Sequence, residues 1–305
     1  MNCIKYINIG IIMDESLKGR IKNQIFKFEV ALTDSQDGDA EFTLDFEAGR
    51  YRQDELVGII RDTVKFFALT ENEIIDFDAS EHYRIAYTRI SDAHRNRKGD
   101  YGELLLFIIL DIFFDTPKFV TKARLRTSTK EQIKGFDCAH FSINSNNEVI
   151  LWLGEAKFYK EFSGAVSSAF ESLNSFLKKP ASLKDQLRLL GGQIEINKQL
   201  DPDKFRLLKS YVDGGRSLDS VSINVPVLIT YDSDFIKSFS GRNLNLKSEE
   251  FKKGMTDEFN KQFKLIYNKK WPASANINII FFLLPFESVE DIKNKIDVVE
   301  QGMRL

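Results

Sequence analysis

Two long apolar runs near the C-terminus constrain the fold more than any other feature of this 305-residue sequence. Residues 221–230 read VSINVPVLIT and residues 276–285 read NINIIFFLLP. Such runs are typical of strands buried on both faces, in sheets that helices cover on both sides. Between them, large apolar side chains at helical spacing predict one covering helix: Phe251, Met255, Phe259, Phe263 and Ile266. The C-terminal part of the chain is therefore predicted to be α/β.

The pattern from residue 100 onwards extends this prediction. A strongly apolar helix begins near Tyr101, strand patterns follow at 119–126, 133–143 and 148–159, and an amphipathic helix covers 162–177. The order of helix, three strands, helix and strand predicts an α/β sandwich with a mixed sheet. Short strands and one helix precede it, so we predict an N-terminal domain or extension over 1–90 and the main domain over 91–305.

The distribution of charge and the number of cysteines indicate the kinds of partner and the cellular compartment. The net charge is only −2, but Asp34–Glu81 holds fourteen acidic and four basic residues, whereas Lys118–Lys134 holds six basic residues and one acidic residue. This asymmetry predicts different partners for the two regions. The two cysteines, Cys3 and Cys138, form neither a disulfide framework nor a zinc pattern. With no signal-peptide pattern and no run long enough to span a bilayer, we expect a cytoplasmic protein without a membrane partner.

Charged residues interrupt the most apolar hairpin. The strand that contains Val149–Leu153 continues into Glu155, Ala156 and Lys157, and Asp137 lies on the strand before it. A turn at 144–147, which reads NSNN, would bring Asp137 close to Glu155. Two adjacent carboxylates repel unless a cation lies between them, and hard divalent cations prefer carboxylate oxygens. We therefore predict a site for Mg²⁺, with Mn²⁺ as the alternative, formed by Asp137, Glu155 and the main-chain carbonyl of Ala156.

This donor set predicts hydrolysis of a phosphodiester. A metal ion held there would polarise a phosphoryl oxygen and lower the pKa of a bound water, and Lys157 would orient the water or stabilise developing charge. Glu103 follows Gly102 in the apolar helix. It is either a further metal ligand or a carboxylate favoured by the helix dipole. Glu155 and Lys157 alone would also suit a solvated edge strand, but Asp137 and the hairpin context favour a site.

Two groups of basic residues lie near the predicted site in the sequence. One group shares a face of the strand at 119–126, and the other lies on the loop before Glu103. Either group would neutralise phosphates, and either is also explained as a solvated surface. No aromatic residues are interleaved with them, so we expect non-specific binding to the nucleic-acid backbone. The residues are Lys122, Arg124 and Arg126 in the first group and Arg95, Arg97 and Lys98 in the second.

The combination of Asp137 with Glu155-Ala156-Lys157 resembles the PD-(D/E)xK nuclease superfamily. The segments GFD and WLGEAKFY, followed by a helix rich in small residues, resemble the HamA nuclease subunits of the Hachiman anti-phage defence system. The resemblance is closest over residues 100–180. It implies a restriction-endonuclease-like αβββαβ core with an N-terminal extension, metal-dependent cleavage of DNA, and a superfamily-2 helicase partner that holds the nuclease in check. Phe136, rather than the superfamily's proline, precedes Asp137.

The sequence thus predicts a metal-dependent deoxyribonuclease that acts as effector of a two-component anti-phage defence system. The acidic N-terminal region is a candidate surface for the helicase or for autoinhibition. The alternatives are a non-catalytic nucleic-acid-binding adaptor on a nuclease-like fold, a solitary repair or restriction nuclease, and an RNase. Two adjacent carboxylates argue against a pure binder, because they would repel the phosphate backbone.

Overall fold

A mixed sheet of seven strands runs through the centre of the protein, with helices on both faces. We describe it from a computed structural model. The structure describes residues 13–29, 32–90, 99–114, 116, 118–121, 136–143, 148–177, 206–207, 210–211, 221–239, 241–242, 245–272 and 276–304.

Within these residues the strands and helices follow the chain in this order. The strands are β1 Ile25–Lys27, β2 Ala40–Leu44, β3 Phe46–Glu47, β4 Arg50–Tyr51, β5 Lys118–Thr121, β6 Cys138–Ile143, β7 Val149–Phe158, β8 Ser222–Asp232 and β9 Ile277–Phe286. The helices are α1 Glu15–Lys22, α2 Gln53–Ala68, α3 Glu71–Asp76, α4 Glu81–Arg89, α5 Gly99–Phe113, α6 Phe162–Leu177, α7 Asp234–Phe239, α8 Glu249–Tyr267 and α9 Val289–Met303.

The strand order across the sheet is β1-β2-β9-β8-β7-β6-β5. Strands β5, β6 and β7 pair antiparallel, whereas β7, β8 and β9 pair parallel, and α6 lies in the connection between β7 and β8. The described elements from α5 to β8 thus follow the predicted order of helix, three strands, helix and strand. The predicted mixed α/β fold, consistent with a nuclease-like core, is confirmed.

The strands that the long apolar runs predicted lie at the centre of the sheet. Strand β8 is buried from Val225 to Tyr231, and β9 is buried from Ile280 to Phe286. Successive side chains on β9 meet different layers, because strand side chains alternate between faces. Phe281 packs against Trp271 beyond α8, with ring centroids 4.8 Å apart, and Phe282 stacks on Phe114 after α5, also at 4.8 Å.

The N-terminal segment adds strands to this same sheet. Strand β2 pairs parallel with β9, where Ala40 lies opposite Phe282, and β1 pairs antiparallel with β2. Helix α2 packs against α5 and α9. The Tyr51 hydroxyl donates to the Pro285 carbonyl at 3.0 Å, which ties the β3–β4 hairpin to the end of β9. The N-terminal residues therefore extend the central sheet, and a domain boundary at residue 90 stays a prediction.

Helix α5 packs on β7 with almost no side-chain layer between them. A methyl group added at Gly102 of α5 would lie 3.0 Å from the Phe158 Cβ and 3.5 Å from the Ala156 Cβ. One added at Gly154 of β7 would lie 2.7 Å from the Leu106 Cδ2. Although α5 is very apolar, no helix among the described residues is long and apolar enough to cross a membrane. Its apolar surface is instead buried in the core.

We expect Gly154→Ala to lower the free energy of unfolding by about 1–3 kcal/mol, the usual cost of overpacking a core. The added methyl would lie 2.5 Å from the Cys138 Sγ, so β6 or α5 must shift. Urea unfolding measures the effect. Gly58→Ala in α2 is the matched control. Nothing lies within 4 Å of its added methyl, and alanine in a helix interior should raise stability by about 1 kcal/mol. Equal stability of Gly154→Ala and the wild type would contradict the close contact.

Candidate active site at the end of the β6–β7 hairpin

Asp137 holds the backbone of β7 on both sides of Glu155. Strand β6 begins at Cys138, which pairs with Gly154. Just before it, the Asp137 N–H donates to the Gly154 carbonyl at 2.9 Å, and the Asp137 Oδ2 accepts from the Ala156 N–H at 2.8 Å. Because β6 does not extend as far as Asp137, the Asp137 carboxylate accepts the hydrogen bond that a main-chain carbonyl of a longer strand would accept from the Ala156 N–H group. The hairpin brings Asp137 and Glu155 together, as the sequence pattern predicts.

The same geometry gives the direction of the Ala156 carbonyl. In an antiparallel strand, the N–H and C=O of one residue face the same neighbouring strand. Because the Ala156 N–H faces Asp137, its carbonyl oxygen faces the edge of β7 on which Asp137 lies. The main-chain oxygen predicted as a metal ligand is therefore on the side of the Asp137 carboxylate.

Lys157 is partly buried beside Glu155 and is held by two partners. Its Nζ donates to the Glu155 Oε1 at 2.5 Å and to the Ser172 Oγ of α6 at 3.1 Å. Since Glu155 and Lys157 are two residues apart on β7, both side chains project toward the α6 face of the sheet. Ala156 and Phe158 project to the α5 face, where they meet Gly102. The alternation of the strand thus separates the charged residues from the apolar packing.

The charge of Lys157 is fixed by its neighbours. Burial lowers the pKa of this ammonium. The charges of Glu155 and Asp137 and the hydrogen bond to Glu155 raise the pKa by more than burial lowers it, so the net pKa lies above the ordinary 10.5. Lys157 is therefore a cation throughout the neutral range. A group that holds its proton so tightly is suited to stabilising negative charge and not to accepting a proton.

Glu103 lies in the same neighbourhood, on the opposite side of the sheet. It is buried on α5, one residue after the contact between Gly102 and β7. Burial raises the pKa of the Cys138 thiol well above its ordinary value, and the charges of Asp137, Glu103 and Glu155 raise it further. All three carboxylates thus act on one buried thiol. Within the described ranges, no three His, Cys, Asp or Glu side chains are placed to hold a metal ion together, so a ligand role for Glu103 stays a prediction.

The predicted basic residues fall outside the described part of the chain. Strand β5 is described as far as Thr121. The strand group and the loop group both lie beyond the described ranges, as does the turn at 144–147. Their role in binding nucleic acid therefore stays a prediction. These residues are Lys122, Arg124, Arg126, Arg95, Arg97 and Lys98.

Sequence reasoning missed Ser172, which positions the Lys157 ammonium from α6. A signal for it was present. The buried stripe of α6 contains Ala165, Ala169 and Leu173, and Ser172 follows Ala169 by three residues, so it lies on the same side of the helix. A hydroxyl on an apolar stripe needs a hydrogen-bond partner. The sequence could thus have indicated a polar contact beneath α6, although not the identity of the partner.

We expect Ser172→Ala to lower both stability and turnover modestly. It removes the 3.1 Å hydrogen bond to the Lys157 Nζ, and a hydrogen bond to a charged group contributes about 1.5–3 kcal/mol. Because the bond to Glu155 remains, the expected loss of turnover is about tenfold or less. Urea unfolding and kcat for DNA cleavage measure the two effects. The matched control is Ser175→Ala, an exposed position on the same helix. Equal effects at both positions would mean that Ser172 does not position the lysine.

Comparison with known proteins places the site in a family. A family model described as HamA matches residues 20–298, which is nearly the whole chain. The match includes the N-terminal strands as well as the hairpin that carries Asp137 and Glu155. No curated protein matches the chain.

Proposed function

The chain belongs to the HamA family, which suggests an anti-phage defence role, and from this premise we propose that it is a metal-dependent deoxyribonuclease. In this proposal it is the effector of a two-component system, and a superfamily-2 helicase subunit holds it in check. The reaction is hydrolysis of a DNA phosphodiester at the end of the β6–β7 hairpin. Asp137, Glu155 and Lys157 carry it.

The observation that carries this proposal is that two buried carboxylates and one partly buried ammonium lie at a single point. Two hydrogen bonds hold Asp137 to the backbone of β7 on either side of Glu155, one from Ala156 N to Asp137 Oδ2 and one from Asp137 N to Gly154 O, and a third joins Lys157 Nζ to Glu155 Oε1. Burying such a group costs desolvation energy that apolar residues of similar volume would not. Clusters of this kind are therefore more typical of functional sites than of structural ones.

The donor set suits a hard divalent cation. Mg²⁺ is usually held by one or two carboxylates and keeps waters or substrate phosphates in its other positions. Asp137, Glu155 and the Ala156 carbonyl supply such a set, with Glu103 as an auxiliary ligand. Since one carboxylate can accept about four contacts, a carboxylate that accepts a hydrogen bond from Ala156 or Lys157 can also be a metal ligand. When bound, the ion would polarise the phosphate and lower the pKa of a coordinated water.

The protein's own residues account for the remaining requirements. Lys157 stays protonated and lies beside Glu155, so it can stabilise the negative charge that develops on the phosphate oxygens. Ser172 and Glu155 fix the direction of its ammonium. The basic residues at 95–98 and 122–126 would neutralise flanking phosphates without reading base sequence.

For the partner, we propose a narrower surface than the acidic region as a whole. Several of its acids already have basic partners: Asp62 pairs with Arg20 and Arg61, and Glu73 pairs with Arg89. Residues 75–80 are all exposed. In this stretch the apolar side chains of Ile75 and Phe77, 58% and 37% exposed, stand beside Asp76 and Asp78. An apolar pair with an acidic border suits a basic, partly apolar surface on the helicase.

Cleavage assays on the purified full chain, alone and with its helicase subunit, test the proposal. The substrates are supercoiled plasmid, linear duplex, single-stranded DNA and RNA, each with Mg²⁺, Mn²⁺ or EDTA. We expect DNA cleavage that EDTA abolishes. Binding of DNA without cleavage of any substrate under all conditions would favour the adaptor, and cleavage of RNA alone would favour an RNase. A Mg²⁺ titration of Glu103→Gln examines the auxiliary ligand: a higher Mg²⁺ requirement supports it, whereas an unchanged requirement leaves Glu103 as a helix-start carboxylate.

A further inference from the structure

Tyr159 stands at the open end of the candidate site. It follows Lys157 by two residues in an extended segment, so its side chain projects to the same face of the sheet. The side chains of Glu155 and Lys157 are only 4% and 12% exposed, whereas 38% of Tyr159 is open to solvent. The buried charges thus meet solvent beside an aromatic ring.

Contacts with α6 hold this ring in place while leaving much of it uncovered. The Tyr159 hydroxyl donates to the Ser168 Oγ at 3.2 Å. A methyl group added at Gly164 would lie 3.8 Å from the Tyr159 Cδ1, so the ring edge lies close to the helix backbone. A fixed aromatic surface loses little conformational freedom when a second ring stacks on it. This is the property that a binding surface for a planar group requires.

Other exposed large apolar residues lie elsewhere. Among the described residues these are Ile75, Phe77, Leu265 and Val298. Tyr159 differs from them because it directly follows the strand that carries Glu155 and Lys157.

We propose that Tyr159 stacks on an unpaired base adjacent to the cleaved phosphate, so that the site takes DNA that is single-stranded at the point of cleavage. The inference rests on the proposed nuclease function. In an intact duplex, neighbouring bases cover both faces of each base, so the ring would find no partner there. An unpaired strand exposes these faces, and stacking on aromatic side chains is a common means of binding single strands without sequence preference. Tyr159 would therefore favour single-stranded over double-stranded DNA and would not distinguish between base sequences.

Binding to two oligonucleotides of equal length and charge tests this role. One is oligothymidylate, and the other is an abasic strand with the same phosphates. The background is the Glu155→Gln variant, so that DNA survives. We expect Tyr159→Ala to raise the Kd for oligothymidylate about tenfold, to leave the Kd for the abasic strand unchanged, and to leave the salt dependence of both unchanged because no phosphate contact is lost. Tyr159→Phe, which keeps the ring, should remain within about twofold of the parent.

Two further variants complete the design. Leu265→Ala removes an exposed apolar side chain from α8 and should change neither Kd. Tyr159→Leu keeps an apolar side chain without an aromatic face, and its Kd values should match those of Tyr159→Ala. This variant distinguishes the loss of stacking from a destabilised fold in Tyr159→Ala. Equal losses on both oligonucleotides, no loss on either, or normal binding by the leucine variant would each overturn the proposal.

The failure of this inference is separable from failure of the proposed function. Cleavage by the unmodified chain tests the nuclease, and the base-dependent difference between the two oligonucleotides tests Tyr159. A chain that cleaves DNA but shows no base-dependent loss refutes only the stacking role. A chain that shows the loss but cleaves nothing, with or without its helicase, supports the stacking role and refutes the nuclease.

Discussion

The Glu155→Gln variant is expected to lose DNA cleavage by on the order of a thousandfold, because Glu155 is a charged metal ligand in the proposed mechanism, and such a ligand contributes several kcal/mol to stabilising the transition state. Glutamine keeps the size of the side chain and one oxygen near Lys157 but removes the negative charge. Asp137→Asn should lose a similar factor while keeping an acceptor for the Ala156 N–H group. Glu148→Gln, an exposed position at the start of the same strand, should cleave as the wild type does. Single-turnover plasmid cleavage gives the rates.

Stability must be measured beside activity, since Glu155 also neutralises Lys157. Removing one partner of a buried ion pair costs up to about 3–5 kcal/mol, and the Lys157 Nζ lies 2.5 Å from the Glu155 Oε1. The double variant Glu155→Gln/Lys157→Met removes both charges, so its stability should recover while its cleavage stays lost. If the recovered fold also recovered cleavage, the catalytic assignment of both residues would be wrong.

Lys157→Met is expected to reduce cleavage by about a hundredfold to a thousandfold, the usual effect of losing one group that stabilises transition-state charge. The expected pH dependence follows from the raised pKa of Lys157. Because the folded pKa of Lys157 lies above 10.5, the ionic contribution of this lysine to stability is fully present below 10.5 and is lost only as pH rises through the higher folded pKa. Titration of Lys157 should therefore not change the cleavage rate between about pH 6 and 9.

Alkaline unfolding and a rate profile check this expectation. The wild type should lose stability above pH 10.5 more steeply than Lys157→Met does. Lys253→Met, an exposed position on α8, controls for the loss of a lysine as such. A pH-dependent change in the cleavage rate between about pH 7 and 9 that is absent in Lys157→Met would show that Lys157 titrates in this range. That result would contradict the raised pKa expected from its neighbours.

The sequence could predict that Asp137, Glu155 and Lys157 lie close together, because their arrangement depends on local pairing. Glu155 and Lys157 are two residues apart on one strand, and Asp137 lies on the adjacent strand of the same hairpin, so alternation and a short turn suffice to bring them together. The buried strands β8 and β9 were likewise readable from their continuous apolar runs. Each of these features depends on neighbouring residues in the chain.

Features that depend on distant contacts were not predictable in the same way. The pairing of Ala40 with Phe282 joins segments more than two hundred residues apart, and nothing in the short alternating pattern of β2 specifies a parallel partner. The partner of Ser172 was equally hidden, because the docking of α6 across β7 decides which polar group it meets. Helical periodicity gives the face of a helix but not what lies beneath that face.

The glycine contacts between α5 and β7 have a consequence for reorganisation energy. Where long side chains separate a helix from a sheet, rotamer changes let the two layers slide, and groups attached to them shift during a reaction. A methyl group added at Gly102 or Gly154 would lie 3.0 Å or less from an opposing atom, so the layers have little room to slide, and close-packed layers transmit displacement instead of absorbing it. Glu103 and Glu155 are thus carried by one rigid body. In the proposed hydrolysis, charge that forms beside Glu155 would therefore meet dipoles that are already oriented, and little free energy would be spent on rearranging the protein.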